Sequence, residues 1–420
     1  MNIMVYIKRQ IGQLRQHFDL WSIVKQEQPP FSLDGLSRAK MLSELSKLSF
    51  IIFLSLLLII PLSASAQEHS KYIQAVDEYR PAPGQYVNDV PEYEAGDTEA
   101  DMIRKCNERI AGLGPIDAHL VALGGWGGYI TFHFDHPIVN IPGQRDFAVW
   151  GNAYQEQTNQ VFGGMNEAGI VMVSKDTNGN GLPDDPWYEI SGSCDVDSLG
   201  KVVYGYEVTY HRNPMGNIPW TDNKGNSGTI DRVDAWHTQE YYPEWLPDGL
   251  TFKGTRLPDN MIDLSNTVER TWSQWYYVLV GFRYGYADNL PNFTDNADIT
   301  SYNIEGCGID ISWAVDEQRQ PVTLDHIDFV RVYTGLNQKC PAPNWWGETS
   351  TEIISAEDLH LEASLEAMRS QETGIRREGV RREGVKEKSP AYDLRGVRRE
   401  GDRGQKPCIL IKDGKKYFTK

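Results

Sequence analysis

The segment from Asp176 to Asp185 has the composition and spacing of a calcium-binding loop, reading Asp-Thr-Asn-Gly-Asn-Gly-Leu-Pro-Asp-Asp. With Asp176 as position 1, oxygen-bearing side chains stand at positions 1, 3, 5 and 9 and glycine stands at position 6. The front half of an EF-hand loop has the same arrangement, because a hard cation needs converging oxygens and a sharp turn. The predicted ligands are Asp176, Asn178, Asn180, the carbonyl oxygen of Leu182, Asp184 (directly or through water) and Asp185.

The end of this loop departs from the calcium pattern. An EF-hand supplies a bidentate glutamate at position 12, where this chain has Trp187. Asp185, or Glu189 further along, would have to replace that carboxylate. We predict a structural Ca²⁺ here, and the alternative is an Asn/Gly-rich turn that binds nothing.

Aromatic side chains in loop-like sequence form the second candidate site. Tryptophan and tyrosine faces stack on sugars and other flat ligands, and they bury a large area at a low entropy cost. The predicted ligand-binding residues are Trp236, Tyr241, Tyr242, Trp245, Trp345 and Trp346. The alternative is that these side chains fold onto the protein as lids.

The sequence gives little support to catalysis. It contains no Gly-x-Ser-x-Gly, HExxH or P-loop motif. His133, Asp135 and His136 suggest a metal cluster, but strand alternation places His136 on the opposite face, which favours an ordinary strand end over a zinc site. Carboxylates such as Glu189 and Asp310 are abundant, which does not define a catalytic pair. We therefore expect a non-catalytic protein.

Short strands dominate the elements that must position these residues. In 128–135, apolar Ile130, Phe132 and Phe134 alternate with Tyr129 and polar residues, which is typical of a half-buried strand. Further strand signals lie at 146–150, 169–174, 202–210, 275–284, 309–315 and 326–333. The pattern predicts an all-β antiparallel sandwich, or jelly roll, with one short N-terminal helix at 97–112. We expect long loops over 211–270 and a short helix within 355–368.

The distribution of charge limits the possible partners. The whole chain carries −17, of which +3 falls in residues 1–66 and +8 in residues 369–420, so residues 67–368 carry −28. Such an acidic domain repels phosphate backbones, and we expect no nucleic-acid binding. Four of the five cysteines lie in this acidic part, at Cys106, Cys194, Cys307 and Cys340. The sequence leaves open whether they form disulfides or stay as free thiols.

The N-terminal residues have the features of a secretory signal peptide. A 13-residue apolar run at 50–62 follows Lys40 and Lys47 and precedes the small-residue segment Ala64-Ser65-Ala66. The run is short for a membrane span, which needs about 20 residues, so a membrane anchor is the weaker alternative. We predict that residues 1–66 are leader and signal peptide, with Met41 as the start and cleavage near Ala66. The protein is therefore expected at the outer-membrane surface or outside the cell.

The C-terminal residues divide into a linker and a small β module. Residues 369–388 are charged, poor in apolar side chains and repetitive, which predicts a flexible linker. Residues 389–420 contain strand-forming segments and a turn at Asp413-Gly414.

This module resembles the C-terminal sorting domain of type IX secretion cargo in Bacteroidota. The matching segments are Tyr392–Gly396, Ile409–Ile411 and Asp413–Tyr417 with terminal Lys420. Lys406-Pro407-Cys408 stands where that family usually has Gly-Ile/Val-Tyr. The resemblance implies passage across the outer membrane by the type IX machinery.

Residues 80–360 resemble a Bacteroidota family of cell-surface proteins with a galactose-binding-like jelly roll. The segments that carry the resemblance are Gly124–Pro137, Asp146–Ala153, Asn166–Ser174, the loop Asp176–Asp185, Trp187–Ser193, Ile309–Val315 and His326–Val332. Asn166-Glu-Ala-Gly stands where relatives tend to have Ser-Glu-Pro-Gly. The resemblance implies capture of a ligand, with glycans and corrinoids as the candidates. A calcium-dependent glycoside hydrolase or lyase and a structural surface-layer component are the alternatives.

Overall fold

The computed structural model describes residues 68–155, 164–197, 200–233, 237–263, 277–294, 298–340 and 347–372, and the backbone of four short strands between 391 and 418. The chain divides into two units, Met1–Glu68 and His69–Lys420, and every element given below belongs to the second. The predicted leader and signal peptide lie outside the described residues. So do most of the linker and the turn at Asp413-Gly414.

A seven-stranded antiparallel sheet is the main element of the fold. Its strand order is β1-β3-β18-β7-β8-β17, with β15 also paired to β7. The strands are β1 (Ala75–Arg80), β3 (Tyr129–Val139), β7 (Gly169–Ser174), β8 (Trp187–Ile190), β15 (Tyr286–Ala287), β17 (Ala314–Val315) and β18 (His326–Thr334). Long strands such as β3 and β18 alternate apolar and polar residues, so each presents one apolar face to a core.

Two smaller sheets pack against the apolar face of the main sheet and form the core of a sandwich with it. They contain β16-β4-β20 and β19-β2. The strands are β2 (Val121–Ala122), β4 (Phe147–Trp150), β16 (Gly308–Ile309), β19 (Glu352–Ile353) and β20 (Ser355–Asp358). Phe132, Val173 and Val330 of the main sheet share one buried cluster with Phe147 and Val149 of β4. The fold is therefore all-β and antiparallel, as the sequence predicts.

A four-stranded sheet, β11-β10-β9-β12, carries a second buried cluster. Its strands are β9 (Val203–Tyr210), β10 (Ile218–Asp222), β11 (Ser227–Ile230) and β12 (Leu250–Arg256). Another sheet joins β5 (Tyr154–Gln155), β6 (Gly164–Met165), β13 (Met261–Asp263) and β14 (Tyr277–Leu279). These strands correct the expectation of long loops over 211–270. Within that segment β10 and β12 pair with β9, and the expected turn residues lie between the strands.

Helices are few among the described residues. Helix α1 (Glu99–Ile110) follows its N-cap Thr98, whose side chain exchanges hydrogen bonds with Asp101 in a capping box. A single turn, α2 (Ile304–Cys307), precedes β16, and α3 (Leu361–Glu372) follows β20. The helix expected within 355–368 thus starts later, because Ser355–Asp358 pairs with β4, and it ends four residues inside the predicted linker. No helix in the described part of the chain is long and apolar enough to cross a membrane.

Two predicted strands are shorter than expected. Of the predicted strand 275–284, the structure describes 277–284, and within that range only Tyr277–Leu279 pairs as a strand. The segment 309–315 is broken in the middle by a 3₁₀ turn, Ile311–Trp313, which Asp310 caps by accepting the Ser312 N–H. Asp310 is buried at this turn. Alternation of side chains alone does not reveal such a cap.

The C-terminal module and the cysteines complete the fold. Four strands, Ala391–Tyr392, Arg398–Arg399, Ile409–Lys412 and Lys415–Phe418, form one antiparallel sheet, and the last two form the predicted hairpin. Cys106, Cys194, Cys307 and Cys340 are all buried free thiols.

Candidate functional site

The predicted calcium loop connects β7 to β8 and has an ordered turn. Asp176 Oδ1 accepts the N–H of Gly179 at 2.7 Å, and its Oδ2 accepts the N–H of Gly181 at 2.8 Å. Asn178 Oδ1 accepts the N–H of Asn180 at 2.9 Å. Gly179 and Gly181 have φ near +71°, the left-handed region that favours glycine. The oxygens of the first three predicted ligands are therefore held by the loop's own backbone.

The second half of the loop brings its carboxylates toward these residues. Asp184 accepts hydrogen bonds from the side-chain amides of Asn178 and Asn180 at 3.0 Å. Asp185 accepts instead from the backbone N–H and the hydroxyl of Thr177. The Leu182 side chain is 54% exposed, and its carbonyl oxygen, the predicted ligand atom, accepts the N–H of Asp184 at 2.9 Å. Asp176, Asn178, Asn180 and Asp184 are thus brought together, whereas Asp185 braces the loop.

A carboxylate from a distant strand meets the loop. Asp328 lies in β18, next to β7, and its Oδ2 accepts the N–H of Asp176 at 2.8 Å. Burial is the main cause that raises the pKa of Asp328, and the negative charge of Asp176 adds to it. Sequence reasoning missed Asp328, because the polar residue of an ordinary strand signals nothing about which loop it will meet.

Glu189, the other suggested substitute for position 12, points elsewhere. Its Oε1 forms an ion pair with Arg319 at 2.5 Å, and its Oε2 accepts the hydroxyl of Thr255 at 2.7 Å. Burial raises the pKa of the Glu189 carboxyl. Because Arg319 and Thr255 engage both of its oxygens, Glu189 is not a loop ligand in this structure.

The histidines near Asp135 form ion pairs. His136 is buried, and its two ring nitrogens face Asp135 at 2.6 Å and Asp358 at 2.8 Å. These carboxylates raise the pKa of His136 against the opposing effect of burial. His133 instead pairs with Asp77 at 2.8 Å. Both nitrogens of His136 are already used, which favours the structural interpretation.

Two of the predicted ligand-binding aromatics are buried, and this corrects the sequence-based expectation. Tyr241 and Tyr242 are 0% exposed, and the Tyr242 hydroxyl donates to the carbonyl of Pro247 at 2.8 Å. Trp245 is half-buried and stacks between Tyr79 and Tyr93, with ring centroids 5.9 and 6.0 Å away. These side chains anchor a long segment to the second core, as the lid alternative anticipated. Trp236, Trp345 and Trp346 lie outside the described residues.

A cleft opens where the polar face of the main sheet meets β9 and β12. It consists of two cavities of about 410 and 250 Å³ that share Met172, Lys253 and Tyr333. We call this region the cleft. Its other lining side chains include Arg80, Tyr129, Trp187, Glu189, Tyr204, Arg319 and Arg331.

Arg331 forms the floor of the cleft. Its guanidinium lies 4.2 Å from the ring centroid of Trp187 and 4.8 Å from that of Tyr129. It donates to Glu78 at 2.5 Å and to Thr131 at 2.9 Å. Packing between two rings and an ion pair fixes this cation and its aromatic neighbours in one arrangement.

Arg319 organises the opposite end in the same way. It bridges Glu189 and Asp195, and its guanidinium lies 4.7 Å from the ring centroid of Tyr204. The Tyr204 hydroxyl donates to Asp195, yet 45% of the tyrosine remains exposed. This end of the cleft therefore presents an aromatic face that is held in position and open to solvent.

Two further cations in the cleft have no ion-pair partner among the described residues. Lys253 is exposed on β12, and Arg80 is half-buried at the end of β1. Free cations are notable in a domain whose net charge is −28. Both line the smaller cavity, whose lining includes no carboxylate, whereas Asp316 and Glu317 line the larger one. The smaller cavity therefore carries positive charge, which favours an anionic ligand.

The cleft residues carried a weak signal in the sequence. Tyr129 belongs to the outward-facing half of the alternating strand 128–135, and Trp187 follows the calcium-like loop. Nothing local indicated that β9 and β12 would close over this face, because the strand predicted at 202–210 gives no sign of its partners and β12 falls in the range expected to form loops. Searches of protein-family models and of curated proteins find no match to this chain.

Proposed function

We propose that this protein is an exported, surface-displayed β-sandwich that captures a glycan without chemically altering it. The cleft binds the ligand, and a structural Ca²⁺ occupies the Asp176–Asp185 loop. The observation that carries the proposal is the cleft itself, an open groove with aromatic faces and unpaired cations. Aromatic faces stack on sugar rings, while charged and polar groups fix the orientation.

The charge of the cleft narrows the class of glycan. Lys253 and Arg80 are free to pair with a ligand, and both lie beside the rings of Tyr129 and Tyr333. A sugar bearing carboxylate or sulfate groups would supply the missing anions. Such binding weakens as salt rises, because exposed charges are screened.

The loop geometry supports the calcium assignment. Asp176, Asn178 and Asn180 present side-chain oxygens that the backbone already orients, and Asp184 and Asp328 add carboxylates nearby. Calcium accepts six to eight such oxygens in flexible geometry. The ion would fix the connection that ends at Trp187, and through it one wall of the cleft.

Export by the type IX route is part of the proposal. It rests on the signal-peptide pattern of residues 1–66 and on the sorting-domain resemblance of residues 389–420. The paired strands Ile409–Lys412 and Lys415–Phe418 provide the hairpin that the resemblance requires.

Binding assays on a panel of acidic glycans, neutral glycans and corrinoids test the proposal. We expect an acidic glycan to bind, and Tyr204→Ala to weaken binding by about 3- to 10-fold through loss of stacking. Lys253→Ala should weaken binding of the acidic glycan by about 10-fold and of its neutral analogue hardly at all. Lys224→Ala, which removes an equally exposed lysine from the β10–β11 turn, is the matched control.

Each alternative gives a different result in the same assays. A corrinoid bound in the cleft with the same sensitivities would replace the glycan as ligand. Cleavage of a glycan that Glu189→Gln abolishes would show a hydrolase or lyase. Absence of binding across both panels would contradict ligand capture and favour a structural surface component.

A further inference from the structure

Three carboxylates converge inside the sandwich, away from the cleft and the calcium-like loop. Glu167, Asp288 and Glu352 each place one oxygen within 4.8 Å of the others. They are 8%, 3% and 3% exposed, respectively. We call these three residues the carboxylate trio.

Strand pairing brings the trio together from distant parts of the sequence. Glu167 precedes β7 and Asp288 follows β15, and these two strands pair with each other. The N–H of Glu167 donates to the carbonyl of Asp288 at 2.9 Å, and the N–H of Glu352 donates to Asp288 Oδ2 at 2.9 Å. The backbone thus fixes the three side chains in one place.

Asp288 is the most tightly held member. Its Oδ1 accepts the N–H groups of Asn152 and Ala153 at 2.7 and 2.8 Å. A Cβ at Gly151 would lie 2.2 Å from this oxygen, so only glycine allows the chain to pass so close. Asp288 itself adopts φ +48°, which aspartate tolerates better than most residues do.

Backbone N–H groups donate to Asp288 and Glu167, but the trio has no cationic partner among the described residues. Among the described residues, no lysine, arginine or histidine forms an ion pair with any of the three. Glu352 Oε1 is buried and has no hydrogen-bond partner. An unpaired buried charge is costly, and three together repel one another at low dielectric constant. A bound cation or shared protons must therefore occupy the trio.

We propose that the carboxylate trio is a second, buried binding site for Ca²⁺. The trio offers only carboxylate oxygens, the donors that hard cations prefer, and Ca²⁺ accepts them in irregular geometry at full enclosure. Mg²⁺ usually keeps several waters, and Zn²⁺ favours nitrogen and sulfur ligands. The ion joins β7, β15 and β19 across the interior of the sandwich. Unlike the loop, this site has no local sequence motif.

Calcium content in a loop-deficient protein tests the inference without interference from the first site. The background carries Asp176→Asn and Asp184→Asn, and bound calcium is measured by equilibrium dialysis and mass spectrometry. We expect about one ion per chain to remain, and Glu352→Gln to reduce it to none. Glu348→Gln is the matched control, since it neutralises another buried carboxylate nearby that is not a trio member.

Two outcomes would overturn the inference. If the loop-deficient protein is folded but holds no calcium, the trio binds no Ca²⁺ and its carboxylates share protons instead. Calcium retained at the background level in folded Glu352→Gln protein would show that the ion lies elsewhere. Circular dichroism verifies folding, and Glu167→Gln replaces Glu352→Gln if that variant does not fold, with the same two outcomes.

Discussion

The Asp176–Asp185 loop and the carboxylate trio both gather acidic oxygens, but one does so in solvent and the other in the core. The loop uses ten neighbouring residues, and Asn178, Asn180 and Asp184 are exposed. The trio uses three residues from distant segments, each less than a tenth exposed. Local backbone N–H groups satisfy the loop oxygens, whereas Glu352 Oε1 is left without a partner.

The two regions differ in how their carboxylate charges are stabilised. Water stabilises the exposed carboxylates of the loop, so they need no bound cation to offset a cost of burial. Burial removes that stabilisation and raises the pKa of Asp288 to about 7. Burial also raises the pKa values of Glu167 and Glu352 well above their usual range, and the nearby charge of Asp288 adds to both shifts. The residue spacing of the loop predicts a cation there, whereas the trio indicates one by its buried carboxylates without a cationic partner.

The largest expected effect is the cost of truncating the central trio member. Asp288→Ala leaves the N–H groups of Asn152, Ala153 and Glu352 without an acceptor, at about 1–3 kcal/mol each. We expect the free energy of unfolding in urea to fall by more than about 3 kcal/mol. Asp184→Ala in the loop should cost less than about 1 kcal/mol. Similar losses at the two positions would break the contrast between the regions.

Asp146, a buried carboxylate outside the trio, shows what burial does where two backbone N–H groups are its hydrogen-bond partners. Burial raises the pKa of Asp146 to about 7, although Ile141 and Ile311 donate N–H groups to it. Because the folded pKa exceeds the unfolded value of 3.8, its protonated form favours folding, and stability is lost as pH rises from about 4 through about 7.

The test of Asp146 compares the wild type with Asp146→Asn, which cannot titrate. The unfolding free energy of the wild type, relative to that of the variant, should fall by on the order of 3 kcal/mol between pH 4 and pH 8. Chemical denaturation across this range measures it. A difference independent of pH would contradict the assigned shift.

The smallest effect belongs to calcium at the loop. In Glu352→Gln protein only the loop responds, and free calcium at ten times its dissociation constant should add about 1.4 kcal/mol by mass action. Asp176→Asn should remove most of this gain, whereas Lys224→Ala should not. An unfolding midpoint that is the same with calcium and with EDTA would show that the loop binds no ion.

The fold was largely predictable because its strongest signals are local. Alternation in Tyr129–Val139 and His326–Thr334 requires strands with one buried face, and Thr98 with Asp101 marks the start of α1. Predictions were poorer where a strand depends on its pairing partner and not on a periodic pattern of side chains. The strands within 211–270 form because β9 offers partners, and the turn at Asp310 interrupts an otherwise strand-like run.

The candidate sites also differ in whether their residues are neighbours in the sequence. The sequence by itself determined the ten-residue loop, because the predicted calcium ligands are neighbours along the chain. Only the tertiary structure decided that Tyr241 and Tyr242 are buried, that the cleft contains Lys253 and Arg331, and that Glu167 meets Glu352. The physical reason is that side-chain type and spacing set local conformation, whereas exposure and long-range contact depend on which strands pair.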